Sequence, residues 1–404
     1  MKIIIADYIY TTQGYLDGKA VAFNHEIKAI DSADTLTERY PDAQIIRMQP
    51  HSIIYPGLIN THVHLEFSAN STTLEYGEFM SWLHSVIEHR DELIRQCDDT
   101  KMIDACDEML RSGITSFGAI SSFGADLEVC KKTPQRVTFF NELIGSDAKT
   151  VDMLYADFLE RLKNSESSNP KEKVTPAIAI HSPYSVHPIV LQRAVSLAKQ
   201  KKYPLSTHFL ESPAEREWLE SNKGGFATFF AKFFGSSQAV TTIEEFMCHF
   251  NGYPAHFVHC VQTTKEEKSY LLSQGHSIAH CPRSNRLLGC GRLAIEDWDG
   301  IMSVATDGLS SNWSLNLWDE LRSTLMLQHK EALGKLADRL IRSVTADAAK
   351  AIRSDAGRIE LNAPADLTII TLPNRCEKQS LLSLNAILHT QEASFVYIAG
   401  EQII

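Results

Sequence analysis

What this sequence lacks narrows its chemistry first. Its 404 residues contain no stretch approaching the ~18 consecutive apolar residues that a membrane-spanning helix needs, so no membrane partner is expected. The opening MKIIIAD has one lysine and an apolar run that Asp7 interrupts, which is not the pattern of a secretory leader. Positive charge is not in excess either: 39 lysines and arginines face 50 aspartates and glutamates, a net charge of −11. Such a surface repels phosphate backbones and anionic lipid, so no nucleic acid is expected as a partner. The eight cysteines (Cys97, Cys106, Cys130, Cys248, Cys260, Cys281, Cys290, Cys376) include no CxxC pair, and a chain of this length can build its core without disulfides. They read as thiols of a reducing cytoplasm. Internal repeats are absent, and the only low-complexity tract is the polar link 164–173.

What is present is the profile of an ordinary globular protein, 44% apolar and 22% charged. Within 1–55, short β-prone runs at 3–5, 20–23, 27–30 and 45–46 are separated by Gly, Asp and Asn turns, which predicts a small antiparallel sheet. Residues 356–404 repeat that pattern, with strands expected at 357–361, 367–371 and 395–398 and a final run after Gly400, so the two ends are expected to share a sheet. Between them, 56–355 alternates apolar strands with amphipathic stretches. Eight strands are predicted, at 57–64, 113–119, 136–142, 175–181, 205–208, 255–259, 276–280 and 302–307. Helices are predicted at 78–95, 102–111, 188–199 and 317–329. Eight strand–helix units over about 300 residues match an α/β fold of the (β/α)8 TIM-barrel type. The segment 224–234, GGFATFFAKFF, fits either a core helix or an apolar wall over a site.

The polar residues sit at strand ends. His62, His64, His181, His208, His259 and His280 each close a predicted strand, as Asp307 does, and the carboxyl ends of all barrel strands meet at one mouth. Alternate residues of a strand share a side, so His62 and His64 can face one ion at the ~2.0–2.1 Å that zinc–nitrogen bonds require. Glu211, three residues after His208, can reach a bound water or substrate and is a candidate proton carrier, although by itself it also fits a solvated glutamate. His256 and His259 are expected to point to opposite faces, which leaves His259 for the site and His256 as structural. Asp307 supplies a hard oxygen ligand or base, unless it merely caps the turn that Gly308 and Ser310 continue. Each element alone is ambiguous, but their joint placement is not.

The segments PGLINTHVHLEF at 56–67, HSPYSV at 181–186, THFLES at 207–212, FVHC at 257–260, CPRSNRLLG at 281–289 and ATDGLSSN at 305–312 resemble the amidohydrolase superfamily, in its branch of mononuclear-metal nucleobase deaminases. Ala365-Asp366-Leu367 and 396–400 extend the likeness to the chain ends. The resemblance implies a β-sandwich domain of 1–55 plus 356–404 beside a barrel of 56–355. It makes His62, His64, His208 and Asp307 the metal ligands, Glu211 the proton shuttle, and His259 the partner of the water and the oxyanion. Asp307 then also carries the second proton to the leaving ammonia. Relatives with two metals carry a bridging lysine where strand four here ends in His181, so one divalent ion is implied, Zn2+ with Fe2+ as the alternative. Within this branch the likeness implies a 6-aminopurine nucleoside substrate bearing a benzoate at the far end of its ribose side chain, deaminated on a route to menaquinone. Arg283 and Arg286 are candidates to grip that carboxylate, His181 to contact the nucleoside, and Glu66 and Asn285 to add polar recognition, while Trp313 is assigned to packing. A homodimer completes the expected partners. Competing readings are hydrolysis of adenosine, methylthioadenosine, guanine or a triazine, and a silent barrel kept as a scaffold. One departure from the pattern is Asn362, where many relatives carry glycine in a turn.

Overall fold

The computed structural model describes residues 1–168 and 173–404. Residues 169–172 of the polar link lie outside the described residues, while 164–166 end the helix Val151–Glu166. The centre of the chain forms eight parallel strands: β1 (Leu58–Val63), β2 (Ile114–Ser121), β3 (Arg136–Leu143), β4 (Val174–Ile180), β5 (Leu205–Phe209), β6 (His256–His259), β7 (Ser277–His280) and β8 (Met302–Val304). Each pairs with its sequence neighbour. β8 returns to β1 through the Asp307 amide on the His62 carbonyl (3.1 Å) and the Asn60 side chain on the Thr306 hydroxyl (2.8 Å), so the sheet closes as a TIM barrel. Strands buried on both faces are apolar throughout, which is why these runs stood out. The expected eighth strand, 302–307, stops early because Asp307 adopts a left-handed φ of 60°.

Local chemistry starts the outer helices. Phe79–Gln96 is capped by Glu78, whose carboxylate accepts from the Ser81 amide, and Asp98 caps Asp99–Arg111 in the same way. Pro188 opens Pro188–Lys201, where its missing N–H costs nothing. Small residues of the helix Ala346–Ala351 form one buried cluster with Ile59, Ile120, Phe140, Ala177 and Ala179 of the first four strands. Among the described residues no helix is long and apolar enough to cross a membrane.

The chain ends share a sheet, but not the simple antiparallel one expected. One six-stranded sheet joins Tyr8–Thr11, Gly14–Asp17 and Ser52–Pro56 to Leu367–Thr371, Phe395–Ile398 and Glu401–Gln402. A second sheet holds Lys2–Ile5, Ala20–Phe23, Ile27–Asp31 and Gln44–Arg47. Both are mixed, since Lys2–Ile5 runs parallel to Gln44–Arg47 and Tyr8–Ile9 parallel to Ile53–Ile54. A common core of Ile4, Ile9, Val21, Ile54, Leu367 and Ile369 lies between the sheets. The strand expected at 357–361 does not form: Gly357 turns at φ of 80°, close against the Thr345 carbonyl. Asn362 sits at φ of 65°, a left-handed conformation that asparagine tolerates better than most residues, so the turn survives without glycine.

Candidate active site

The polar strand ends gather at the carboxyl mouth of the barrel. The His62 ring lies 4.9 Å from that of His64 and 4.8 Å from that of His208, centre to centre. The nearer Asp307 oxygen, Oδ1, is 3.6 Å from Nε2 of both His62 and His64. Donor atoms of His62, His64 and Asp307 lie within 4.8 Å of one another, as do those of His62, His208 and His259, and those of Glu211, His259 and Asp307. These sets share members, so the six residues form one cluster.

The donors suit a cation. Both nitrogens of the His62 ring are buried without a hydrogen-bond partner among the described residues, a costly state unless something coordinates them. Burial and the neighbouring imidazoles push His64 down to about 4, and burial does the same to His259. His208 is held well below its ordinary value for the same reasons. Neutral imidazole is the ligating form. His208 Nδ1 lies 2.7 Å from the His181 carbonyl, which can only accept, so Nδ1 carries the proton and Nε2 keeps a lone pair for a metal.

Asp307 and Glu211 are driven apart. Burial alone raises the Asp307 carboxyl, but the imidazoles of His62, His64 and His259 outweigh it and hold the group well below the usual carboxylate range. Its Oδ2 accepts from Ser284 and Ser311, both at 2.8 Å, and Oδ1 from the Gly308 amide. Glu211 is raised well above its ordinary value by burial, then by Asp307 and Glu215. The Glu215 carboxylate accepts the backbone amides of Leu210 and Glu211 and so fixes the turn that carries Glu211. Two carboxyls of opposite proton affinity within reach of one cation are an acid–base pair.

His259 reaches this cluster by a route that strand alternation did not anticipate. His256 points into the barrel too, with Nε2 near the hydroxyls of Thr61 and Ser303, one layer below the mouth. His259 does not take the opposite face, because a left-handed φ of 69° swings its side chain into the mouth. There its Nδ1 pairs with the Asn285 carboxamide (2.8 Å) and its Nε2 stands 3.6 Å from Glu211. Asn285, expected to read substrate, is therefore buried and orients His259. His280 is excluded from the site: Ile278 and Val304 belong to the outer core and Ala279 to an inner cluster, so the pleat puts His280 on the outer face.

Other expected substrate contacts fare unevenly. His181 is brought in, its ring 5.1 Å from His208 and its Nδ1 held by the hydroxyls of Ser182 and Ser185. Glu66 is buried and accepts the amides of Ser122, Phe123 and Ala125, so it ties the loop after β1 to the loop after β2. Arg283 does not face the mouth as a free guanidinium. It is 2% exposed, bonds Glu320 at 2.6 Å, and spends its remaining donors on Ser314 and the Asn316 carbonyl. Trp313 is 64% exposed rather than packed in the core, with the Arg283 guanidinium 4.5 Å from its ring centre. Arg286 is exposed and enters no ion pair among the described residues. Arg283→Met is therefore expected to destabilise the fold by about 3–5 kcal/mol, because it strands the buried Glu320 charge. Denaturant melts check this, and an unchanged midpoint with a raised KM would restore the substrate role.

The aromatic segment is the helix Gly225–Phe234, and it is a core helix, the first of its two expected readings. Phe226, Phe229 and Phe230 are buried, and Phe226 packs 4.4 Å from Tyr184, whose ring is 6.0 Å from that of His181. Sequence reasoning overlooked Glu142, Glu215, Ser284 and Ser311. Glu142 carries the same signal as the histidines, a polar residue closing a strand that the sequence predicts, 136–142.

Comparison with known proteins follows the same outline. The Amidohydrolase family profile matches residues 53–403. Aminodeoxyfutalosine deaminase of Nitratiruptor sp. is 42% identical over 403 residues, covering 100% of this chain and 99% of that protein. Adenosine deaminase of Helicobacter pylori is 34% identical over 397 residues, covering 96% and 95%. The crystal structure of Helicobacter pylori aminofutalosine deaminase in complex with methylthio-coformycin covers 100% of both chains at 32% identity, with a TM-score of 0.94.

Proposed function

The chain belongs to the amidohydrolase family, and from that premise we propose that it is a metal-dependent hydrolase that converts 6-amino-6-deoxyfutalosine and water to futalosine and ammonia. The observation that carries this reading is the single buried cluster of His62, His64, His208, Asp307, His259 and Glu211, in a chain 42% identical along its whole length to an aminodeoxyfutalosine deaminase. His62, His64, His208 and Asp307 would hold one divalent ion. Three imidazoles and a carboxylate suit Zn2+, with Fe2+ the alternative. When bound, such an ion supplies a Lewis acid that brings the ionisation of water close to neutral pH.

The chain's own groups do the rest. Glu211 takes a proton from the attacking water and delivers it to ring nitrogen N1, which leaves C6 electron-poor. As oxygen bonds to C6, His259 meets the developing oxygen charge through Nε2 once that nitrogen carries a proton, Nδ1 already donating to the Asn285 carboxamide oxygen. Asp307 takes the remaining hydroxyl proton and returns it to the exocyclic nitrogen, so that the C6–N bond breaks and ammonia departs. His181 lies beside this path at the nucleoside. A cavity of about 200 Å3 lined by Tyr184, Trp218, Phe230 and Phe234 offers the aromatic surface that an aryl tail requires. Of the two arginines proposed for the carboxylate, Arg283 is committed to Glu320 and Arg286 stays the candidate, though neither lines that cavity. The reading keeps a reducing cytoplasm, for which the eight free thiols speak, and a homodimer, on which the site's chemistry does not depend.

Parallel assays of the metal-loaded protein on aminodeoxyfutalosine, adenosine and methylthioadenosine test this. The first is expected to give the highest kcat/KM, by ~10-fold or more, since a pocket fitted to its tail discriminates by that order. Comparable rates on all three would leave the reaction and remove the substrate. No ammonia from any of them would favour the scaffold.

A further inference from the structure

Glu142 is a buried carboxylate that the mechanism above does not use. It lies at the end of β3, where Phe139 and Leu143 belong to the outer core and Phe140 to the barrel interior, so the pleat turns Glu142 inward. The side chain is fully buried, and Oε2 accepts the Ser122 hydroxyl at 2.5 Å. Oε1 has no hydrogen-bond partner among the described residues. This unmatched oxygen sits 3.8 Å from His208 Nδ1, and Glu142, His181 and His208 each present a donor atom within 4.8 Å of the other two. A buried carboxylate lone pair without a partner is expensive to keep.

The neighbours do not satisfy it. The His208 Nδ1 proton is already committed to the His181 carbonyl at 2.7 Å, and His181 Nδ1 to two serine hydroxyls. A second cation between Glu142 and His208 is disfavoured by the same bond, which leaves His208 one free nitrogen, the one that faces His62. What remains is a neutral donor, either a buried water or a group brought in by the substrate, and the two differ in whether the substrate's hydroxyls matter to the rate. With C6 at Glu211, Asp307 and His259, the sugar of a 6-aminopurine nucleoside would have to lie farther along the mouth, and the ends of β4 and β3, where His181 and Glu142 stand beside His208, are one side open to it in this reading. The groups that a sugar offers to an acceptor there are its ribose hydroxyls.

We propose that Glu142 accepts a hydrogen bond from a ribose hydroxyl of the substrate, with Ser122 holding the carboxylate in place, and thereby makes the site selective for ribonucleosides. The inference rests on the deaminase reading and adds to it a residue that selects the sugar. A carboxylate rejects an analogue that lacks its hydroxyl strongly, because the acceptor is then left buried and unpaired.

The test is kcat/KM of the metal-loaded protein on the ribonucleoside substrate and its 2′-deoxy and 3′-deoxy analogues, for the unmutated chain, Glu142→Gln and Glu142→Ala. The unmutated protein is expected to disfavour at least one deoxy analogue by ~10² or more. Glu142→Gln should shrink that ratio by ~10-fold, since a charged acceptor is replaced by an amide, and Glu142→Ala should abolish it, with the losses confined to the ribonucleoside. Equal rates on ribo and deoxy substrates by the unmutated protein would overturn the inference without any variant. So would variants that slow all three substrates equally and lose metal, which is the signature of support for His208. Either result leaves deamination itself intact. An unmutated protein that deaminates none of the three removes the deaminase reading and this inference with it.

Discussion

Glu211→Gln is expected to keep the bound metal and to lose turnover by ~10² or more. Glutamine preserves the size of the side chain and the backbone bonds that Glu215 makes to the amides of Leu210 and Glu211, so the turn has no reason to move. What disappears is the ability to receive a proton and give it up. Burial, Asp307 and Glu215 all raise the proton affinity of Glu211, which lets it carry a proton between water and ring, while Asp307, a few ångströms away, is held well below the usual carboxylate range. The loss should fall on kcat, since the amide can still accept or donate a hydrogen bond to the bound purine but cannot transfer a proton in the transition state. Metal analysis belongs in the same experiment: Glu211 lies outside the proposed ligand set, so metal content should match that of the unmutated chain. Turnover within a fewfold of the parent would remove the shuttle role, and loss of metal would make Glu211 a ligand.

The parts of the site legible in the sequence were those governed by regular geometry. A barrel brings strand ends to one mouth, and for His62, His64, His208 and Asp307 that rule was sufficient, as the shared 4.8 Å clusters show. The rule fails in two ways, one where the backbone leaves the regular pleat and one where it keeps it. His259 enters the site through a left-handed residue at the strand end, which strict alternation cannot foresee. His280, equally well placed in sequence, is turned to the outer face by ordinary alternation. Arg283 shows a different limit. Its chemistry suits a carboxylate, and it does bind one, but the partner is Glu320 in a helix 37 residues away, a pairing that exists only after folding. Asn285 likewise spends its side chain on His259. At the chain ends, composition revealed strands without revealing partners. Lys2–Ile5 pairs with Gln44–Arg47 across two intervening hairpins and a helix, and nothing in short β-prone runs specifies such a parallel match.

Removal of metal is expected to abolish turnover, and one equivalent of divalent ion per chain to restore it. The stoichiometry follows from hydrogen bonding. His208 contributes only Nε2, because its Nδ1 proton lies on the His181 carbonyl, so the two overlapping donor sets that contain His208 cannot each hold an ion through it. His62 belongs both to the set with His64 and Asp307 and to the set with His208 and His259, so those sets meet at one ring and describe one site. Binding should also stabilise the fold, since an ion taken up only by the folded chain contributes about 2.7 kcal/mol when present at ~100 times its dissociation constant. His208→Ala should lose the ion, the activity and that stabilisation together, whereas Glu211→Gln should lose activity alone. A titration monitored by melting temperature and ammonia release separates these cases. Saturation at two equivalents would overturn the mononuclear site, and full activity after exhaustive chelation would overturn the role of metal altogether.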